Sequence, residues 1–174
     1  MSATRNKAAK QAALFSGLML VGLSLLFSPA AYAEQSSIAS VAGPLQLEHA
    51  EGSTECLLQL AQTPLLTIDC EAAYLPTVIG NFTGSFAGMQ QILVLQESPM
   101  GNACNGGTLH IMALGRDKRY RLEEIEFCGG KDPVLQKQGD TILITLPGGP
   151  LNHGPGIRPT ERWAYRNGRL LKLR

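Results

Sequence analysis

The chain is 174 residues long, 44% hydrophobic and 6% aromatic, with 15 Lys and Arg against 14 Asp and Glu. That length suits one domain able to bury most of its apolar surface. The near-even charge balance argues against nucleic acid as a partner, since that role calls for a pronounced basic excess.

The N-terminus carries Arg5, Lys7 and Lys10 and no acid, and an uncharged run follows from Leu14 to Phe27. Ser28, Pro29 and the small residues Ala31 and Ala33 complete the pattern of a secretory signal peptide over 1–33, cut between Ala33 and Glu34. As a helix the apolar run would rise only about 21 Å, short of the roughly 30 Å hydrocarbon core. No later run approaches the length of a membrane span, so no transmembrane segment is expected after cleavage. The mature protein is expected in the periplasm or outside the cell.

Removal of the leader leaves 12 Lys and Arg against 14 Asp and Glu, unevenly placed. Glu34 to Gly115 holds seven acids and no Lys or Arg, whereas Arg116 onward holds 12 bases and seven acids. Such asymmetry marks either a surface for an anionic partner or two halves that neutralise each other.

Residues 34–55 begin "EQSSIASVAG" and read as a loosely held N-terminal segment, ahead of a single β-rich domain over 56–174. Short apolar runs punctuated by Gly, Pro and Asn predict strands at Cys56–Leu60, Leu65–Asp69, Gln91–Gln96, Thr108–Leu114, Tyr120–Phe127, Thr141–Leu146, Arg162–Arg166 and Arg169–Leu173. One short helix is expected within Ser40–Glu51 or Ala87–Leu95. "LGRDKRY" predicts a hairpin turn, and Asn167-Gly168 predicts another, of the two-residue type. Pairing across Asn167-Gly168 sets Trp163, Tyr165, Leu170 and Lys172 on one face. In "YRLEEIEF" the apolar parity switches between Leu122 and Ile125, which predicts a β-bulge at Glu123-Glu124. "PGGPLNHGPGIRP", Pro147 to Pro159, reads as a loop. The fold class is therefore all-β, a small antiparallel sandwich or barrel.

The mature part has four cysteines, Cys56, Cys70, Cys104 and Cys128, separated by 13, 33 and 23 residues. These gaps lack the close spacing of structural zinc ligands and of thiol-exchange pairs. An even count in an exported chain predicts two disulfides, with Cys56–Cys70 and Cys104–Cys128 favoured because each closes a hairpin-sized loop.

No cofactor or metal is expected, because His49, His110 and His153 form no ligand motif. His110 falls within a predicted strand, on the face of Met112 and Leu114, and reads as a core or rim residue. No nucleophile elbow, phosphate loop or dinucleotide fingerprint occurs, so the chain is not expected to be an enzyme. A hydrolase with an unrecognised site, drawing on His110, His153, Glu123 or Glu124, is the second alternative.

Binding is the remaining class. Trp163, Tyr165 and Tyr120, with Arg162, Arg166, Arg169 and Arg121, form the richest aromatic and arginine combination in the chain, the residue types that dominate interaction hot spots. The expected role is an exported binding protein, an inhibitor or immunity factor acting on an envelope or secreted protein. The alternative is a module for anionic glycan or lipid head groups at the basic C-terminal hairpin. In length, leader and cysteine count the chain is similar to small periplasmic β proteins that inhibit cell-wall hydrolases or neutralise secreted toxins. That likeness implies the same kind of role and assigns no residues.

Overall fold

A computed structural model describes residues 36–49, 52–101, 104, 106–151 and 155–174. The expected leader, its cleavage point and His153 lie outside the described residues. Among the described residues the regular structure is strand throughout and every pairing is antiparallel.

Three four-stranded sheets and one short ribbon account for it. The first sheet runs in the order β1 (Ser36–Ile38), β2 (Leu45–His49), β3 (Glu55–Leu60) and β4 (Thr63–Asp69). The second is β5 (Ala73–Phe86), β6 (Met89–Pro99), β7 (Leu109–Leu114) and β8 (Tyr120–Ile125). β9 (Val134–Gln138), β10 (Thr141–Leu146), β13 (Glu161–Arg166) and β14 (Arg169–Leu173) make the third, in the order β14-β13-β10-β9. β11 (Gly149–Pro150) and β12 (Ile157–Arg158) form the ribbon.

Side chains alternate across a strand, so the two faces of β6 and β7 can be followed separately. Leu93, Leu95, Met112 and Leu114 point one way and join Leu45, Leu47, Leu58, Leu66 and Ile68 of the first sheet in one core. Ile92, Val94, Ile111 and Ala113 point the other way and join Ile142, Ile144, Leu146 and Tyr165 of the third sheet in a second core. The architecture is thus a three-layer stack of sheets, with the middle one covered on both faces. All six residues of β7 are buried as a result. An antiparallel sheet ordinarily wets one face and reads as strict alternation. Here β6 and β7 read as the continuous apolar runs "ILVL" and "HIMAL".

That double coverage explains where the observed elements depart from the sequence reading. The expected short helix is absent from the described residues: Leu45–His49 is a strand with one buried face and Met89–Pro99 a strand buried on both, where coverage of two faces favours a flat apolar segment over a one-striped helix. No bulge occurs at Glu123-Glu124 either, since β7 pairs β8 in unbroken register from Leu109↔Ile125 to Leu114↔Tyr120. Leu122 packs toward the first core and Ile125 toward the second, so both parities are apolar for a reason. Within 34–55, expected to be loosely held, Ser36–Ile38 and Leu45–His49 form β1 and β2, and Leu45 and Leu47 are buried.

Both predicted hairpin turns form. Gly115 and Arg119 close the first, with Gly115 N–H donating to Arg119 O at 2.9 Å. Asn167 and Gly168 sit at φ 52° and 73°, the double left-handed geometry that a two-residue turn requires. Register follows from that turn, with Trp163 opposite Lys172 and Tyr165 opposite Leu170.

Both favoured disulfides are present. Cys56–Cys70 spans a Cα–Cα distance of 5.8 Å and Cys104–Cys128 one of 4.8 Å, each within the ordinary range. Two disulfides are consistent with an oxidising compartment. Of the two glycines after Cys128, Gly130 serves close packing. A Cβ on Gly130, which sits at φ 92°, would lie 2.8 Å from the Pro147 carbonyl, and Lys131 N–H donates to that same oxygen at 3.3 Å. Arg158 donates from Nη1 to the Cys128 carbonyl, tying the β11–β12 ribbon to the disulfide.

Candidate functional site

The outer face of the third sheet has no layer packed on it among the described residues. Its inner face is set by Ile142, Ile144, Leu146 and Tyr165 in the core, so the intervening residues point outward. Leu143, Ala164 and Leu171 form one cross-strand row of that outer face, with Gln136 at its end. A second row runs Val134, Thr145, Arg162 and Leu173, and Arg166 pairs with Arg169 beyond the first. Three exposed arginines flank a stripe in which Leu171 is 40% exposed, Leu143 half-buried and Ala164 buried between its neighbours. No Asp or Glu stands among these outward residues of β9, β10, β13 and β14.

The aromatic candidates are not there. Tyr165 is wholly buried between the second and third sheets. Its hydroxyl has no hydrogen-bond partner among the described residues. Burial pushes that hydroxyl above its ordinary pKa, with the Arg121 charge opposing and Glu123 reinforcing. Trp163 also turns toward the second core, and its Nε1 donates to Glu161 Oε2 at 3.2 Å. Lys172 lies 5.3 Å over the Trp163 ring and 3.0 Å from the same Glu161 oxygen. Hydrogen bonding from Lys172, and next from Trp163, holds the Glu161 carboxyl below its ordinary 4.5 against the opposing effect of burial. A depressed folded-state pKa contributes stability at pH above 4.5 that is lost as pH falls through the lowered value.

Arg121 points inward as well, and its Nη1 donates to the Gly168 carbonyl at 3.4 Å, bracing the terminal turn. Tyr120 has the opposite parity and emerges beside Leu60, Thr63 and Leu65 of the first sheet. The seven candidate residues therefore fall into three places. Arg162, Arg166 and Arg169 share the open face; Trp163 and Tyr165 lie between layers, with the exposed Arg121 at their edge; Tyr120 stands on the far side of the middle sheet.

A cluster that spacing did not reveal centres on His110. It is buried on β7, with Nε2 2.6 Å from Glu97 Oε1 and Nδ1 3.2 Å from Glu124 Oε1. Glu124 is the direct cross-strand partner of His110, and Glu97 extends β6 two residues past its other partner, Leu95. Both ring nitrogens face carboxylate oxygens, so both bonds form together when each nitrogen carries a proton. The cluster clamps β6, β7 and β8 at one end and uses both nitrogens within the sheet. The hairpin count across "GRDKR" leads from Leu114↔Tyr120 to His110↔Glu124, so the pair was legible once no bulge was assumed. His110→Ala should lower the unfolding free energy by about 2–3 kcal/mol, by stranding Glu97 and opening the core. Glu124→Gln, at a side chain 53% exposed, should cost well below about 1 kcal/mol. Urea denaturation of the two variants checks the contrast.

The two sequence halves meet in the middle sheet, where β7 pairs β8, while the two outer sheets differ in charge. The first sheet carries Glu48, Glu55 and Asp69 and no Lys or Arg, and the middle sheet separates it from the arginines of the third. Lys172–Glu161 and Arg119–Asp117 are local pairs. The Arg119 guanidinium holds the Asp117 carboxyl below its usual range.

Among the described residues, no group of three or more His, Cys, Asp or Glu side chains has the arrangement of a metal site. No protein-family model, curated protein or solved structure matches this chain.

Proposed function

We propose that the protein is an exported binding protein that docks on an acidic surface of another envelope or secreted protein, as an inhibitor or immunity factor. The observation that carries this reading is the open face of the third sheet, where Arg162, Arg166 and Arg169 flank Leu143, Ala164 and Leu171 with no acid among them. Arginine beside aliphatic surface is the composition of protein interfaces, and a single-sign face selects an oppositely charged partner. Two disulfides and three packed layers favour a preformed surface, which lowers the ordering cost of association.

A protein partner fits better than a glycan. Sugar recognition by stacking needs exposed rings beside the cations, and Trp163 and Tyr165 turn away from the arginines into the core.

The test begins with capture from envelope extract at low salt. The captured protein is then purified and titrated against wild type and the triple variant Arg162→Glu, Arg166→Glu and Arg169→Glu. The expected result is a one-to-one complex weakened at least tenfold in the variant and weakened by salt in the wild type. An unchanged Kd in the variant removes this face from the function. Binding of anionic vesicles or acidic glycan, with no protein complex, transfers the function to that ligand class.

A further inference from the structure

Tyr120, left outside the arginine face, borders a groove between the first sheet and the β7–β8 turn. Two hollows of about 240 and 180 Å³ adjoin there, sharing Leu60, Ala61 and Lys118 in their walls. Ala42 and Pro44 line the outer part of one, and Leu65 and Tyr120 line the other. Aliphatic and polar residues share the walls, with Leu60 and Leu65 nearly buried behind them. Gln46 and Thr63 supply polar side chains at the two ends.

Lys118 is the only cation in those walls, and no carboxylate among the described residues pairs with it. Its position is held by backbone, since Lys118 N–H donates to Gly115 O at 3.0 Å. The turn geometry adds an independent observation. Ala61, Gln62 and Lys118 have φ of 47°, 70° and 65°, a region that residues other than Gly, Asn and Asp rarely occupy. Backbone strain gathers at ligand sites, and here a two-residue turn without Gly or Asn faces a left-handed lysine across one groove.

We infer that this groove binds a medium-chain alkyl carboxylate, its chain along Pro44, Ala61 and the Tyr120 ring and its carboxylate on the Lys118 ammonium. One unpaired cation matches one negative charge, and the aliphatic strip of Pro44, Ala61 and the Tyr120 ring matches a short unbranched chain. The site shares no residue with the arginine face, so the two readings stand or fall separately.

The probe is sodium octanoate, titrated into the purified protein and followed by amide NMR, with octan-1-ol and octylammonium as comparison ligands. Octanoate should give saturable shifts at Leu60, Ala61, Thr63, Lys118 and Tyr120, with octan-1-ol at least tenfold weaker and octylammonium weaker still. Lys118→Met should weaken octanoate about tenfold, whereas Lys118→Arg should bind it nearly as wild type does. The triple arginine variant of the third sheet should bind octanoate unchanged. Absence of saturable shifts, equal affinity for octan-1-ol, indifference to Lys118→Met, or shifts confined to another part of the protein each overturn the inference. Lys118 is exposed, so loss of fold does not confuse the result, and the dispersion of the same spectra confirms it.

Discussion

Ile111→Ala should cost about 2–4 kcal/mol of unfolding free energy, and Met112→Ala, at the very next residue, should cost about as much. In a sandwich of two sheets one of two consecutive strand residues faces water, and its truncation falls within about 0.5 kcal/mol of neutral. Here Ile111 belongs to the core shared with the third sheet and Met112 to the core shared with the first, and both are fully buried. The double variant should lose close to the sum, because the two side chains contact different partners. Urea denaturation with a common m-value checks all three proteins. A near-neutral result at either position would mean that one outer sheet does not pack on the middle one in solution.

The second large effect is expected at the disulfides. Replacing Cys56 and Cys70 together by alanine should lower stability by about 3 kcal/mol, and replacing Cys104 and Cys128 by about 3.5 kcal/mol, from loop-closure entropy. The first pair carries a further cost, since Cys56 is wholly buried among Leu45, Leu47, Leu58 and Ile68. The second pair anchors the segment that holds Pro147 and Arg158, so its loss should also loosen the ribbon. Hydrogen exchange at Lys131 and Leu151, whose amides bond across that region, should rise in the second variant and stay unchanged in the first. The intact protein should show no reactive thiol before reduction. A denaturation midpoint indifferent to reductant would count against both bridges.

The sequence revealed the hairpins and disulfides because their signals are local. Asn167-Gly168 admits one turn geometry, and that turn fixes every pair of β13 and β14. Four cysteines admit only three connectivities. Layering is a different kind of information. Runs such as "ILVL" and "HIMAL" state that both faces are dry but not what dries them, and helix and buried strand then look alike. The bulge expected at Glu123-Glu124 came from assuming one wet face for β8. That same assumption concealed the alignment of Glu124 with His110. The arginine face was legible in part, since alternation alone placed Arg162 opposite in sense to Trp163 and Tyr165. Its separation from the aromatics as a functional surface depended on which side the third sheet turned to the core. β1, β2, β5 and β9 escaped detection because they are short, polar or interrupted by Pro and Gly, as in "AYLPTVIGNFTGSF".

The opposition of an acidic outer sheet and an arginine-bearing outer sheet gives the molecule an electric dipole along the stacking direction. Packed sheets lie about 10 Å apart, so the two charge layers stand roughly 20 Å from each other. At physiological salt the Debye length is about 8 Å. A partner touching one end therefore scarcely senses the other. Farther out, at lower ionic strength, an anionic surface exerts a torque that turns the arginine end toward it before contact. The stack acts as a compass needle, and its orientation during approach should shape the association rate more than the final affinity.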